Sequence, residues 1–421
     1  MRKWRKGQKK LCPIPTVTCM ASLFVLIFAT INGFFIFKFR SSIHKTKFRN
    51  NVEKSLNPKG KLKNLVYIKM IKCASETLSS MFYRFAYDHD LSVVLPQEDK
   101  LYLGWPYQLE PEYYRPVLNG GFNILCDHMV YNATKLEALM PRETIYITSI
   151  REPFSQVQSM FHYYNLAEIV GLNKENGNNV GLLKQYFRDI VKYEAAYQSP
   201  KVKNIRYCVP DGFSMTRNLM SFTLGFPTGW RGKDLSRNKD AIDRFINLIS
   251  MKFSLVMVIE YFIESLILLR RTLSWGWKDI MYVAKNKGTY AKNDPSTVDP
   301  ELMQTYREYS SVDVALYTHF NSTLWQKIKS EGTDFYGEVA AFQQALSKAV
   351  NFCGTKSKGT MALNIIKSRW DEGFEISLDD CKILEMSYLD IMKLYKRHKY
   401  TTKQKQAPGA SSHRHSSNTF C

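Results

Sequence analysis

The sequence predicts an α/β protein, a mostly parallel sheet flanked by helices, behind one N-terminal membrane-spanning helix. Apolar strand-like runs at Leu65 to Lys69, Phe122 to Cys126, Thr144 to Ile150 and Phe253 to Ile259 alternate with stretches of helical periodicity. Such alternation is the pattern of parallel strands joined by helical crossovers. A hydrophobic content of 45% over 421 residues supplies at least one large core and excludes wholesale disorder. The uncharged run from Leu11 to Phe37 is long enough to cross a bilayer as a helix.

Along the chain, the expected units are a tail at 1–13, a membrane anchor at 14–37, a stem at 38–60, a globular domain at 61–353, a helical extension at 354–400 and a disordered tail at 401–421. A cleaved signal peptide would have a shorter apolar core and a small-residue cleavage site, which is not evident. Basic residues flank the run on both sides (Arg2, Lys3, Arg5, Lys6, Lys9 and Lys10 before it; Lys38, Arg40, Lys45, Lys47 and Arg49 after it). Charge therefore barely selects an orientation. The sequons at Asn132 and Asn321 favour a luminal C-terminal part and are the expected glycosylation sites.

Eight cysteines, six of them beyond the anchor (Cys73, Cys126, Cys208, Cys353, Cys381 and Cys421), permit a few disulfides with the pairing left open. No C-x-x-C pair exists, so neither a structural zinc nor any other metal is expected. A formal charge of +21 implies an acidic partner. A secretory lumen puts nucleic acid out of reach, which leaves anionic lipid headgroups or a polyanionic small donor. Much of the excess lies in the N-terminal tail, the stem and the region after Lys393, where it is solvated. His413 and His415 belong to that solvated tail.

Within the domain, Leu78, Met81, Phe82 and Phe85 recur at helical spacing, as do residues of Ile263 to Leu273 and Val314 to Ile328. A weaker helical pattern runs through Cys381, Leu384, Tyr388, Ile391 and Tyr395 after a cap at Ser377. The segment NLVYIKMIKCASETLSSMF reads as a strand ending at Lys69, a loop carrying Lys72, Cys73, Ala74 and Ser75, and a helix from about Glu76. That arrangement presents backbone N–H groups and a positive dipole end to an anion. The glycines of a G-x-x-x-x-G-K-[ST] loop are missing, which disfavours nucleoside triphosphate hydrolysis.

A second segment, TIYITSIREPFSQVQSMFHYY, is a buried strand ending at Arg151, then a helix with Pro153 in its first turn and Ser159 two turns in. A guanidinium at a strand end can hold a phosphate bidentately, and a hydroxyl on the adjoining helix adds a contact.

Together the two segments resemble the 5′-phosphosulfate loop and the 3′-phosphate element of sulfotransferases. Within that superfamily the chain resembles the galactose 3-O-sulfotransferases, which include the galactosylceramide sulfotransferases, from about Asn64 to Cys353. The blocks FNILCDHM, ITSIREP…SMFHYY, DGFSMTRNLMSFTLGF, EYFIESLILLRRTLSW and LYTHFNSTLW carry the likeness. The resemblance implies a P-loop-like fold, a type II Golgi membrane anchor with a luminal catalytic domain, and 3′-phosphoadenosine 5′-phosphosulfate (PAPS) as donor. It implies a galactose-terminated glycolipid or glycan as acceptor, at its 3-hydroxyl. Oligomeric state is not legible.

By the same resemblance, Lys72 stabilises the bridging oxygen of the donor, and Lys69, Ser75, Glu76 and Thr77 lie on the donor loop. Arg151 and Ser159 take the 3′-phosphate, and Arg217 is a donor-site residue carried by the DGFSMTRN block alone. Family members typically read K-T-H-K-T-A-S-S-T at the first loop, where this chain has Lys69-Met70-Ile71-Lys72-Cys73-Ala74-Ser75-Glu76-Thr77. With Ile71 in place of the histidine, His128 is the expected general base, its neighbour Asp127 orienting it or raising its pKa. The same change motivates one rival reading, a donor-binding pseudoenzyme; a second, an enzyme with a different acceptor, arises because donor motifs say little about the acceptor pocket, and a third is a non-catalytic membrane protein whose basic surface binds anionic lipid or polysaccharide. His162, Trp275 and Trp277 read as packing residues.

Overall fold

A computed structural model of the chain describes residues 60–97, 102–117, 120–172, 179–202, 210–230, 232–284, 299–355 and 361–401. The expected anchor, most of the stem, the C-terminal tail, Cys208 and Cys421 lie outside the described residues. No helix among the described residues is long and apolar enough to cross a membrane. From Lys61 onward the chain forms one unit.

Its centre is a four-stranded, wholly parallel sheet of β1 (Leu65–Ile68), β2 (Ile124–Leu125), β3 (Ile145–Ile150) and β4 (Leu255–Val258), in the order β2-β1-β3-β4. Strands β1 and β4 are continuous apolar runs because helices cover both faces of the sheet. The polar residues of β3 are buried but satisfied. Thr148 Oγ1 donates to Ile68 O at 2.9 Å, and Ser149 Oγ donates to Cys73 O at 2.9 Å while meeting Tyr67 OH at 2.8 Å. Strand β2 is shorter than the run Phe122 to Cys126 suggests, and on its other side Asn123 N and Ile124 N bond to Ser92 O on the preceding loop.

The helices are α1 (Ser75–Asp88), α2 (Ala133–Leu139), α3 (Pro153–Tyr163), α4 (Leu166–Ile169), α5 (Asn179–Arg188), α6 (Ile190–Gln198), α7 (Leu219–Thr223) and α8 (Lys239–Lys252), then α9 (Phe262–Leu273), α10 (Trp277–Ile280), α11 (Pro300–Tyr309), α12 (Ser311–Ser330), α13 (Asp334–Thr355), α14 (Leu378–Glu385) and α15 (Tyr388–Lys396). One apolar cluster surrounds the sheet, and a second joins α3, α4, α5, α6 and α11.

Two capping residues lock α7 to α12. Asn218 Oδ1 accepts from Val312 N and Asp313 N at 3.0 and 3.2 Å, while the buried Asp313 carboxylate accepts from Met220 N and Ser221 N at 3.0 and 2.7 Å. Each helix start is thus capped by a residue of the other.

The C-terminal segment opens with an antiparallel hairpin, β5 (Ala362–Ile365) and β6 (Phe374–Ser377), before its helices. Ser377 caps α14 as its sequence suggests, but Ser387 starts a new helix by accepting from Asp390 N, so the weak pattern over 381–395 is two helices. A disulfide between Cys353 and Cys381 ties α13 to α14, and Cys73 and Cys126 are buried free thiols. Helix α15 packs against α1, and the hydroxyl of Tyr395 donates to Leu91 O and accepts from Val93 N.

Candidate functional site

The chain runs from β1 to β2 on one side of it and then crosses to β3 on the other, so the switch in strand order falls between β1 and β3. In open parallel sheets, ligands bind beyond the carboxyl ends of the strands flanking that switch. Here those ends are the loop Lys69 to Ala74 and Arg151. The two segments singled out in the sequence therefore meet at one place.

They also build each other. Three side chains of the β3–α3 segment take three successive carbonyls of the first loop: Gln156 Nε2 donates to Ile71 O at 3.1 Å, Arg151 Nη1 to Lys72 O at 3.4 Å and Ser149 Oγ to Cys73 O at 2.9 Å. The loop is folded tightly, with Lys72 at φ 60° and Ala74 at φ 54°, a left-handed backbone that costs a non-glycine residue about 1–2 kcal/mol. Turns of this kind form concavities that bind anions. Helix α1 begins directly after the loop, and its first residue is preceded by Ala74, which contributes no side-chain cap. Helix α3 differs, because Glu152 caps it by accepting from Phe154 N and Ser155 N at 3.1 and 2.7 Å.

Lys72 is half-buried, and its ammonium lies 3.6 Å from the ring centre of Tyr163, which is 56% exposed. Burial lowers its pKa, against the opposing pull of Glu76. Ser75 is buried, while Glu76, Thr77, Arg151 and Ser159 are half-buried. The histidine that family members carry falls at Ile71, which is 6% exposed and packed in the second apolar cluster. This position faces the core here.

His128 lies just beyond β2. Its Nδ1 is 2.9 Å from Lys69 O. A carbonyl only accepts, so Nδ1 carries the hydrogen and Nε2 keeps the lone pair. Burial, and then the Lys69 ammonium, hold the ring well below the usual histidine range. The expectation that Asp127 orients the ring or raises its pKa is corrected. Asp127 Oδ1 accepts from the backbone N–H of His128 at 2.7 Å, and the carboxyl is itself pushed up by burial.

Two further expected donor residues make contacts within the fold. Lys69 is 1% exposed and places its ammonium 3.2 Å from the ring centre of Tyr388, so what it presents to His128 directly is its carbonyl, while its charge acts on the ring at a distance. Arg217 is committed within the fold: Nη1 pairs with Asp234 at 3.1 Å, Nη2 donates to Ser236 Oγ at 2.8 Å and Nε to Tyr309 O at 3.4 Å. The neighbouring Asn218 explains that block as part of the α7–α12 clamp. Asn132 caps α2 and donates to Gln108 at 2.9 Å, and Asn321 is half-buried on α12. Among the described residues, no group of three His, Cys, Asp or Glu side chains could hold a metal.

Sequence reasoning missed Ser149, Gln156 and Tyr163. A polar pair, Thr148-Ser149, inside an otherwise apolar strand is the signal that could have found the first.

The family described as Galactose-3-O-sulfotransferase matches residues 4–368. A galactose-3-O-sulfotransferase 2 of Sus scrofa is 31% identical over 274 residues, covering 64% of this chain and 62% of that protein. A galactose-3-O-sulfotransferase 3 of Bos taurus is 30% identical, with 65% and 60% covered. A galactosylceramide sulfotransferase of Homo sapiens is 29% identical, with 69% and 64% covered. The matched region spans less than two thirds of each of these relatives. The match to most of its length nonetheless places this chain in the galactose-3-O-sulfotransferase family.

Proposed function

We propose that the chain is a carbohydrate sulfotransferase of the Golgi membrane, moving a sulfuryl group from PAPS to the 3-hydroxyl of a terminal galactose on a glycolipid or glycan. The observation that carries the reading is the uncapped start of α1 behind a tight loop, flanked by Lys72 and Arg151 at the topological switch point. The residues present fit a donor with two anionic ends. The first turn of α1, with Ser75, Glu76 and Thr77, would receive the 5′-phosphosulfate, and Arg151 with Ser159 the 3′-phosphate.

The donor supplies a sulfuryl group on a phosphate leaving group. Lys72 exchanges the face of Tyr163 for the bridging oxygen and neutralises charge there as the S–O bond breaks. His128 Nε2 takes the proton of the sugar hydroxyl as its oxygen bonds to sulfur, and burial keeps the imidazole neutral for that task. Lys72, Arg151 and the backbone meet the donor's charge, and the step needs no metal. The apolar run at 14–37 and the sequons support a type II anchor with the domain in the lumen.

The full chain in detergent, given radiolabelled PAPS with galactosylceramide or β-galactosyl oligosaccharides, tests the reading. Sulfated galactose is expected, falling roughly 10²–10³-fold in Lys72→Ala and 10²–10⁴-fold in His128→Ala. Donor binding without transfer to any sugar contradicts it in favour of a pseudoenzyme. Transfer to some other glycan hydroxyl contradicts only the acceptor.

A further inference from the structure

Lys69 is a deeply buried cation near the site, and among the described residues no hydrogen-bond acceptor meets its ammonium. What meets it is the face of Tyr388, 3.2 Å away at the ring centre, on the first residue of α15. Tyr388 is itself buried, and α15 is held against α1 and the loop after it, where Tyr395 bonds Leu91 and Val93 and Lys399 bonds Asp90 O at 2.7 Å. The family match ends at residue 368, before β6, α14 and α15 begin. This contact therefore belongs to a part of the chain that the family resemblance does not explain.

The same lysine accepts the Nδ1 hydrogen of His128 at its carbonyl. Asp127, the nearest opposite charge, gives Oδ1 to the backbone of His128, while its Oδ2 has no hydrogen-bond partner among the described residues. An ammonium deprived of the Tyr388 ring would gain most by moving toward that oxygen. Such a move pulls on the backbone that orients the imidazole.

We propose that Tyr388 is a positioning residue for the active site: its ring fixes the side chain of Lys69, whose carbonyl holds His128 with Nε2 directed to the sugar hydroxyl. The inference rests on the reading of His128 as the base. The charged and titratable groups around the imidazole are Lys69 from the end of β1, Asp127 beside it and Tyr102, whose ring centre lies 4.8 Å away. Cys126, Glu76 of α1 and Lys396 of α15 surround Lys69 and Asp127. Of these, Lys69 is the cation that opposes protonation of His128.

The test is a pH titration of the full chain labelled with [15N]histidine, the His128 signals being assigned by their loss in His128→Gln. Wild type and Tyr388→Phe, which keeps a cation-binding ring, are expected to show the Nδ1–H tautomer alone. Tyr388→Leu should give mixed tautomers and lower kcat on the order of tenfold to a hundredfold with little change in KM for the donor. Lys69→Met, which leaves α15 and its ring in place, should raise the His128 midpoint by removing the cation that opposes its protonation. On that background Tyr388→Leu should add nothing. An unchanged tautomer in a folded Tyr388→Leu chain, or an unmoved midpoint in Lys69→Met, overturns the proposal. If the tautomer responds as expected but His128→Gln transfers sulfate at the wild-type rate, the linkage stands and the assignment of the base falls.

Discussion

The β1–α1 and β3–α3 units are both a buried strand, a short turn and a helix, yet they treat the helix start in opposite ways. Glu152 fills the start of α3 with its own carboxylate, whereas Ala74 leaves the start of α1 without a side-chain cap. One unit is closed and serves as a frame; the other is open and framed. The three donors from β3–α3 that hold the carbonyls of Ile71, Lys72 and Cys73 make the division physical. An anion site needs its N–H groups free and its carbonyls occupied, and the second unit supplies the occupation.

Closing the open unit breaks the comparison most directly. Ala74→Asp places a carboxylate where Glu152 stands in the other unit, and asparagine-like side chains tolerate the left-handed backbone there. Donor binding measured by calorimetry should weaken on the order of a hundredfold, through the lost helix start and direct repulsion. Wild-type affinity in this variant would show that α1 does not face the donor.

Loosening the frame should cost less. Gln156→Leu and Ser149→Ala each free one loop carbonyl, at about 1–3 kcal/mol, and transfer rates should fall roughly tenfold with the fold intact by circular dichroism. Opening the closed unit is the mildest change. Glu152→Ala removes a cap worth about 1 kcal/mol, so the melting temperature should drop by a few degrees while donor affinity holds.

The pH profile sharpens the same picture. His128 is depressed by burial, so its neutral, proton-accepting form persists as pH falls through the ordinary histidine value, about 6.5. The acid limb of kcat/KM should therefore lie below that value, and removing the Lys69 charge should move the limb up. Asp313 behaves oppositely. Burial raises its carboxyl to about 6, above its unfolded value, so the stability it contributes is present at low pH and lost as pH rises through about 6. Asp313→Asn should flatten that part of the stability curve in thermal melts.

Much of the fold was legible because its signals are local. The strands are runs of apolar residues covered on both faces, and Ser377 announces its helix by capping it. What was not legible depends on contacts distant in sequence. Ser387 interrupts a helical pattern that periodicity alone carries through. Arg217 looked available until the fold brought Asp234, Ser236 and Tyr309 to it. Lys69 and Lys72 stand in the same short loop, yet one is buried against α15 and the other meets an exposed tyrosine. No feature of the loop sequence separates them, because the difference is made by Tyr388 more than three hundred residues later.

The most direct test of the account is a crystal structure of the full chain with adenosine 3′,5′-bisphosphate, the desulfated donor. The account predicts the 5′-phosphate against the first-turn N–H groups of α1 beside Lys72, and the 3′-phosphate on Arg151 and Ser159. A nucleotide bound elsewhere, with the start of α1 in contact only with protein or water, would contradict it.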